Sequence, residues 1–408
     1  MQIQKKYSNQ ELILCISSVL MSAFCFVFYL IRPNSYPLLY ITLGMIFMWC
    51  AKNPKIHIDN ETLLWLLSAI IILVSSALSN DSAALKYGLT LFSFVFIMVV
   101  LKGANNDWKK WFSISVGVFS TVHVIATVLQ FLNPEWIDSI NRVVLPNISY
   151  SENSRLLKHL GAYAGVTGQT GRNGLYISVA LGFWIVSLMT TSNKKKRVVS
   201  FGMIVLSFGA LLLTHKRMFI VIPLINILIL LMMRKKIRAK NVVHILFTAV
   251  LGSIIFSLAI RNIPELAFTF QRFSSDDIST GRYDLWKQGI NTVAEHPFWG
   301  VGILNSRNII GMWPHNIYIQ LLAEVGVVGG VIVICSMVYS IVKKIRISKY
   351  INETNKKFHY LCIYFQLLFL IYGFTGNPFF EIQVVGFYIT TLALGCSKYN
   401  YCMEYNKY

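Results

Sequence analysis

Three side chains have the right type and setting for chemistry on an anionic, hydroxyl-bearing substrate. Arg217 follows Thr214-His215-Lys216 between two short apolar runs, Arg282 follows Gly281 and precedes Tyr283 and Trp286, and His315 stands after Pro314 just before another apolar run. A guanidinium is a planar fork of donors suited to bidentate grip on phosphate oxygens. An imidazole, with an ordinary pKa of about 6.5, can take a proton from a hydroxyl or return one near neutral pH. Each residue also has a plainer use. Lys216 and Arg217 at the end of a tight hairpin can snorkel to lipid phosphates, Arg282 can pair with Asp276, Asp277 or Asp284, and a lone histidine can be structural.

Supporting groups surround these three. Asn316 is of the type that caps a helix start. Glu324, inside or at the edge of a bundle, can orient a base or pair with an arginine. If the segment after Gly281 is helical, Arg282, Leu285, Trp286 and Gly289 share one face, as in an amphipathic helix lying on a membrane surface. The stretch from Gly161 to Gly174, which includes Arg172, is rich in glycine and threonine, so its backbone amides can approach a ligand closely. Its glycines follow no phosphate-loop spacing, and H-E-x-x-H, G-x-S-x-G and a Walker loop are all absent from the chain. The Asp276-Asp277 doublet reads as solvated rather than metal-binding.

The elements that must position these residues are membrane spans. The chain has 408 residues, 55% hydrophobic and 13% charged, with mean hydropathy +0.57, which is too little polar surface to cover a soluble globule. Apolar runs near 12–31, 37–51, 62–79, 85–101, 112–132, 174–191, 198–213, 218–233, 242–260, 325–342, 359–374 and 383–396 are long enough, or nearly so, to cross a hydrocarbon layer of about 30 Å. They predict an all-α, polytopic bundle of about twelve spans forming a single integral membrane domain over 1–408.

With both termini in the cytoplasm, every inside segment is basic: Lys5 and Lys6, Lys52 and Lys55, Lys102 to Lys110, Lys194 to Arg197, Arg234 to Lys240, Lys343 to Lys357, and Lys398 with Lys407. The positive-inside rule accounts for this pattern, so the net charge of +20 does not call for nucleic acid. Two long segments then lie outside, 133–173 and 261–316, and the second carries most of the candidate residues. The seven cysteines show no CxxC and signal neither a disulfide framework nor a metal cluster. The polar start, Met1 to Gln10, leads into an apolar run without a small-residue cleavage site and reads as a retained first helix.

Taken in order, His215-Lys216-Arg217, Gly281-Arg282-x-x-x-Trp286, His296-Pro297-x-x-Gly300-x-Gly302, His315-Asn316-x-Tyr318 and Glu324-x-Gly326 resemble the O-antigen ligase and Wzy-type O-antigen polymerase superfamily, best over about 165–330. The resemblance implies an inverting glycosyltransferase of the multi-span lipid-donor type, working without cofactor, nucleotide or metal. It would act at the periplasmic face of the bacterial cytoplasmic membrane on undecaprenyl-diphosphate-linked glycans, which serve as donor and acceptor. It assigns Arg217 and Arg282 to the diphosphate and His315 to the essential loop histidine. Lys216, Arg172, Glu324, Asn316 and Trp286 are possible supports, and a chain-length regulator is a possible protein partner.

The physics agrees with that implication. Fixed guanidinium groups can stabilise a diphosphate leaving group in place of a metal. Trp286, Trp299, Trp313 and Tyr318 can stack on sugars or form an interfacial belt. His315-Asn316-x-Tyr318, Glu324-x-Gly326 and the extended second outer loop favour a polymerase. A ligase that transfers glycan to lipid A-core is the alternative. A lipid-linked oligosaccharide transporter is a further one, disfavoured by the lack of a visible internal repeat.

Overall fold

A computed structural model describes residues 9–27, 36–53, 58–104, 107–233 and 281–395. Every described element is helical. The helices are α1 (Asn9–Phe26), α2 (Tyr36–Lys52), α3 (Asn60–Ala77), α4 (Ala84–Gly103), α5 (Asp107–Leu132), α6 (Pro134–Val144), α7 (Asn147–Leu160), α8 (Thr170–Thr190), α9 (Lys194–Leu213), α10 (Arg217–Met232), α11 (Arg282–Glu295), α12 (Ser306–Ile310), α13 (Ile317–Ile347), α14 (Glu353–Tyr372) and α15 (Ile382–Leu394). The expected apolar runs are helical where they are described; the run 242–260, residues 28–31 and 396 at the ends of two others, and 261–280 of the second expected outer segment lie outside the described residues. Among the described residues six helices are long and apolar enough to cross a membrane: α3, α4, α5, α8, α9 and α13 with its 3-10 extension to Tyr350. Helices α1, α2, α10 and α15 are apolar but shorter.

The chain forms two compact units. The first comprises the described residues up to Val116 and from Gly281 onward; the second runs from Gly117 to Met233.

Helix α3 shows why the first unit belongs in lipid. Leu63, Leu67, Ile70 and Val74 recur at i, i+4, i+7 and i+11 and are all exposed, whereas Glu61, Thr62, Ser68, Ser75 and Ser76 are buried. A water-soluble helix would reverse that arrangement. The buried polar stripe runs antiparallel along α13. Glu61 meets Lys344 at 3.0 Å, Trp65 Nε1 donates to Ser340 Oγ at 3.0 Å, the hydroxyls of Ser68 and Ser336 are 2.8 Å apart, and Ser75 Oγ donates to the Glu324 carbonyl at 2.9 Å. In hydrocarbon such pairs hold helices together because the alternative is an unsatisfied polar group. From Glu61 to Ser75 this stripe extends about 21 Å along the axis.

Its charged end is a buried network. Lys102 reaches Asp59 at 2.7 Å and Glu61 at 3.0 Å, and Lys343 reaches Asp59 at 2.6 Å. The Glu61 and Lys344 side chains are fully buried. Burial by itself would raise the pKa of Asp59, but Lys102 and Lys343 outweigh it and hold that carboxyl far below the usual range. Removing one partner of a buried ion network leaves charges uncompensated. Glu61→Ala is therefore expected to destabilise the protein by about 3–5 kcal/mol, read as a large drop in thermal midpoint in detergent. A midpoint equal to wild type would contradict this account of α3 and α13.

In the second unit, α8 and α9 form a hairpin and α10 packs on both. The segment expected as an outer loop at 133–173 holds α6, α7 and a buried connection. Helix α6 is amphipathic: Ile137 packs with Ala126 and Val166, while Trp136, Ile140 and Val143 are exposed. Sequence reading took this segment as loop because its apolar residues make only a stripe on a short helix.

Candidate functional site

In the first unit the site is built on a break in α13. The helix starts at Ile317, eight residues before the apolar run that signalled it, because Gln320 and Glu324 lower the hydropathy of its first turns while both are fully buried. At Gly326 the backbone leaves helical geometry, with φ 78° and ψ 170°, a region open essentially only to glycine. The break frees backbone groups for the preceding loop. Val301 N donates to the Ala323 carbonyl at 2.9 Å, Gly302 N donates to the Glu324 carbonyl at 3.0 Å, and Val327 N donates to the Pro297 carbonyl at 2.8 Å. Non-helical backbone at membrane depth is tolerated where protein satisfies it in this way.

The Glu324 side chain completes the join. Its carboxylate accepts from Leu304 N at 2.8 Å, Ser306 Oγ at 2.5 Å and Gln320 Nε2 at 2.9 Å. Glu324 thus fastens the loop to the broken helix. Leu304, at φ 63°, is one of three non-glycine residues with left-handed backbone among the described residues; the others are His215 and His315. Ser79 Oγ adds a bond to the Ile303 carbonyl at 2.7 Å.

His315 occupies the turn into α13 at φ 53°. Histidine tolerates that conformation better than most residues, and its neighbours hold it there. Asn316 caps the helix, accepting from Tyr318 N and Ile319 N at 3.0 and 3.2 Å, a contribution of about 1 kcal/mol. Ile317 N donates to the Gly373 carbonyl at 2.8 Å, and Tyr318 Oη donates to the Leu370 carbonyl at 2.7 Å. These bonds tie the turn to the last turn of α14 and to the connection between α14 and α15. From that connection Asn377 reaches His315, with its Nδ2 3.3 Å from the ring Nδ1.

Helix α11 begins at Arg282, after Gly281 in a left-handed conformation. The expected face is present: Arg282, Leu285 and Trp286 are half-buried and Gly289 is buried, while Tyr283, Asp284 and Lys287 are exposed. A Cβ on Gly289 would lie 2.6 Å from Ile319 and 4.0 Å from Pro314, so α11 rests on the start of α13 and on the turn carrying His315. Trp286 packs edge-on to Tyr283, and its Nε1 is buried without a hydrogen-bond partner among the described residues. Trp313 stacks on Phe380, which stacks on Tyr87, and Arg307 lies 5.2 Å over the Trp313 ring and 3.3 Å from Asp81. Trp299 is exposed beside Phe298 at the loop tip.

In the second unit the α9–α10 turn carries His215, Lys216 and Arg217. His215 is buried at φ 55°, Lys216 is the exposed N-cap residue, and Arg217 begins α10. Helix α8 begins beside this turn: Phe219 packs where a Cβ on Gly174 would fall, and the Lys216 side chain lies 4.0 Å from that position on Gly171. Lys216 and Arg217 therefore stand by the first turn of α8, which contains Arg172, and helix starts favour anions.

The glycine-threonine stretch is more committed than expected. Gly165 N donates to Gln130, Asn141 donates to the Gly165 carbonyl, Asn173 donates to Thr127 and to the Tyr163 carbonyl, and Tyr163 N donates to the Leu213 carbonyl. Its backbone is largely spent on holding α5, α6, α8 and α9 together. Arg282, Trp286, His315, Asn316 and Glu324 thus share the first unit, and Arg172, Lys216 and Arg217 share the second.

Sequence reasoning missed Asn377. Its Gly376-Asn377-Pro378 turn, between two apolar runs, was the available signal. It also missed the Arg307–Asp81 pair, which joins residues far apart in the chain.

Helices with lipid-facing apolar sides and buried polar seams define a multi-pass, all-helical membrane protein. Residues 202–334, about a third of the chain, match the family described as O-antigen ligase. The match spans the α9–α10 turn, α11, the His315 turn and the Gly326 break, and it supports an O-antigen-related polymerase or ligase acting on lipid-linked glycans. No curated protein matches the chain.

Proposed function

We propose that this protein polymerises undecaprenyl-diphosphate-linked oligosaccharide repeat units into O-antigen or a related surface polysaccharide. The reaction is an inverting glycosyl transfer at the periplasmic face of the bacterial cytoplasmic membrane. The observation that carries the reading is His315, held in a left-handed turn by bonds to α13 and to the α14–α15 connection, within a segment that matches the O-antigen ligase family.

In this reading Arg217 and Arg282 hold the donor diphosphate, with Lys216, Arg172 and Trp286 as supports. His315 takes the proton of the acceptor hydroxyl as its oxygen attacks the anomeric carbon. The bond to the diphosphate oxygen breaks, and the diphosphate leaves with the electron pair. In this reading the guanidinium charges stabilise the growing negative charge on the leaving diphosphate.

Arg217→Ala and Arg282→Ala are each expected to lower glycan polymerisation by about 10²- to 10³-fold while the protein still inserts and accumulates. Wild-type-length glycan from either variant would remove that arginine from the site. A ligase that transfers finished glycan to lipid A-core is a second reading, favoured by the description of the matched family. Glycan ladders from a deletion strain separate the two: loss of a polymerase leaves core bearing one repeat, whereas loss of a ligase leaves bare core with polymer retained on the lipid carrier.

A further inference from the structure

We propose that Asn377 is a positioning residue for His315, its amide fixing which ring nitrogen faces the substrate. The inference rests on His315 acting as the base. Asn377 Nδ2 lies 3.3 Å from His315 Nδ1, whereas Asn377 Oδ1 is buried without a hydrogen-bond partner among the described residues. An orphaned buried carbonyl oxygen is costly, and rotating the amide by half a turn exchanges its two ends.

The two orientations have different chemical consequences. With Nδ2 toward the ring, the amide donates to a bare Nδ1 and the proton sits on Nε2, so that edge of the imidazole can only donate. With Oδ1 toward the ring, Asn377 accepts from Nδ1–H, which satisfies the orphaned oxygen and leaves the Nε2 lone pair to receive a proton. When the acceptor hydroxyl is deprotonated, its O–H bond breaks and Nε2–H forms. Nδ1–H of the resulting imidazolium still bonds to Oδ1. The amide thus does, without charge, what a carboxylate does in a Ser-His-Asp triad: it selects the tautomer and holds the ring.

The surrounding structure keeps the amide in place. Asn377 lies on a connection pinned to the His315 turn by the bond from Ile317 N to the Gly373 carbonyl. Beyond it, Tyr87 Oη donates to the Phe379 carbonyl, which anchors the same connection to α4. The charged groups on elements packed against the turn are Glu381 on this connection, Arg282, Asp284, Lys287 and Glu295 on α11, Arg307 over Trp313, Glu324, Lys343, Lys344 and Arg346 on α13, and Glu353, Lys356 and Lys357 on α14. They are unchanged in the variants below, so a shift reads the amide.

The test measures kcat, KM and the pH–rate profile of the full-length protein on a synthetic prenyl-diphosphate oligosaccharide. Wild type, His315→Ala, Asn377→Ala and Asn377→Asp are compared. Asn377→Ala is expected to lower kcat by about 100-fold with KM nearly unchanged. Asn377→Asp has the same shape and places a negative charge against Nδ1, which favours the imidazolium. It is expected to keep activity at high pH and to move the acid limb of the profile up by about one unit or more. Should Asn377→Ala fail to fold, the near-isosteric aspartate variant still decides. A wild-type acid limb in Asn377→Asp, with His315→Ala inactive, would overturn the role of Asn377 alone. Full activity in His315→Ala would overturn the base itself and the positioning role with it.

Discussion

His315→Ala is expected to lower the rate of glycan polymerisation by about 10²- to 10⁴-fold, the usual contribution of a positioned acid–base group, while the protein still inserts into the membrane. The residue sits at φ 53°, so alanine adds a backbone penalty of order 1 kcal/mol to the loss of the imidazole. His315→Asn separates the two effects, because asparagine tolerates the left-handed region but cannot act as a base near neutral pH. Both variants are expected to accumulate lipid-linked single units, measured as ladders from cells and as extractable protein from their membranes. Polymer of normal length from either variant would contradict the catalytic assignment.

Gly326→Ala is expected to be the most damaging single substitution in the first unit. Its φ of 78° and ψ of 170° lie where L side chains are essentially excluded, and a Cβ there would collide with the Phe298 carbonyl oxygen. Relief requires α13 to close its break or the loop to move. Either movement sacrifices the bonds from Val301, Gly302 and Val327 that join loop to helix. Strain and lost hydrogen bonds together amount to about 3 kcal/mol or more. Activity should fall as well, because Glu324 would no longer meet Leu304 and Ser306. Gly44→Ala is the control: its Cβ would meet nothing within 4 Å, so its thermal midpoint should stay near wild type. If the two variants melt together, the break at Gly326 is not what shapes this loop.

The helices were legible because lipid requires long uninterrupted apolar segments, though among the described residues six, not all, of the apolar runs form helices long and apolar enough to cross a membrane. The cap at Asn316, the α9–α10 hairpin and the buried face of α11 were equally legible, since each follows from residue type and local spacing. Glu324 was harder. Its charge suggested a partner for a cation or a base, but a carboxylate can be satisfied by a backbone amide, a hydroxyl and an amide nitrogen, and here it is. The early start of α13 was hidden because buried Gln320 and Glu324 resemble loop residues to any measure of hydropathy. Asn377 is close to His315 only through tertiary structure, by way of a turn fastened to the start of α13, and one sequence records no such closeness.

The most direct measurement is incubation of the purified full-length protein with one defined undecaprenyl-diphosphate repeat unit and no other acceptor. Successive products, each longer by one repeat and retained on the lipid, are the predicted result. Unchanged substrate, with transfer appearing only after lipid A-core is added, would contradict the polymerase account and identify a ligase.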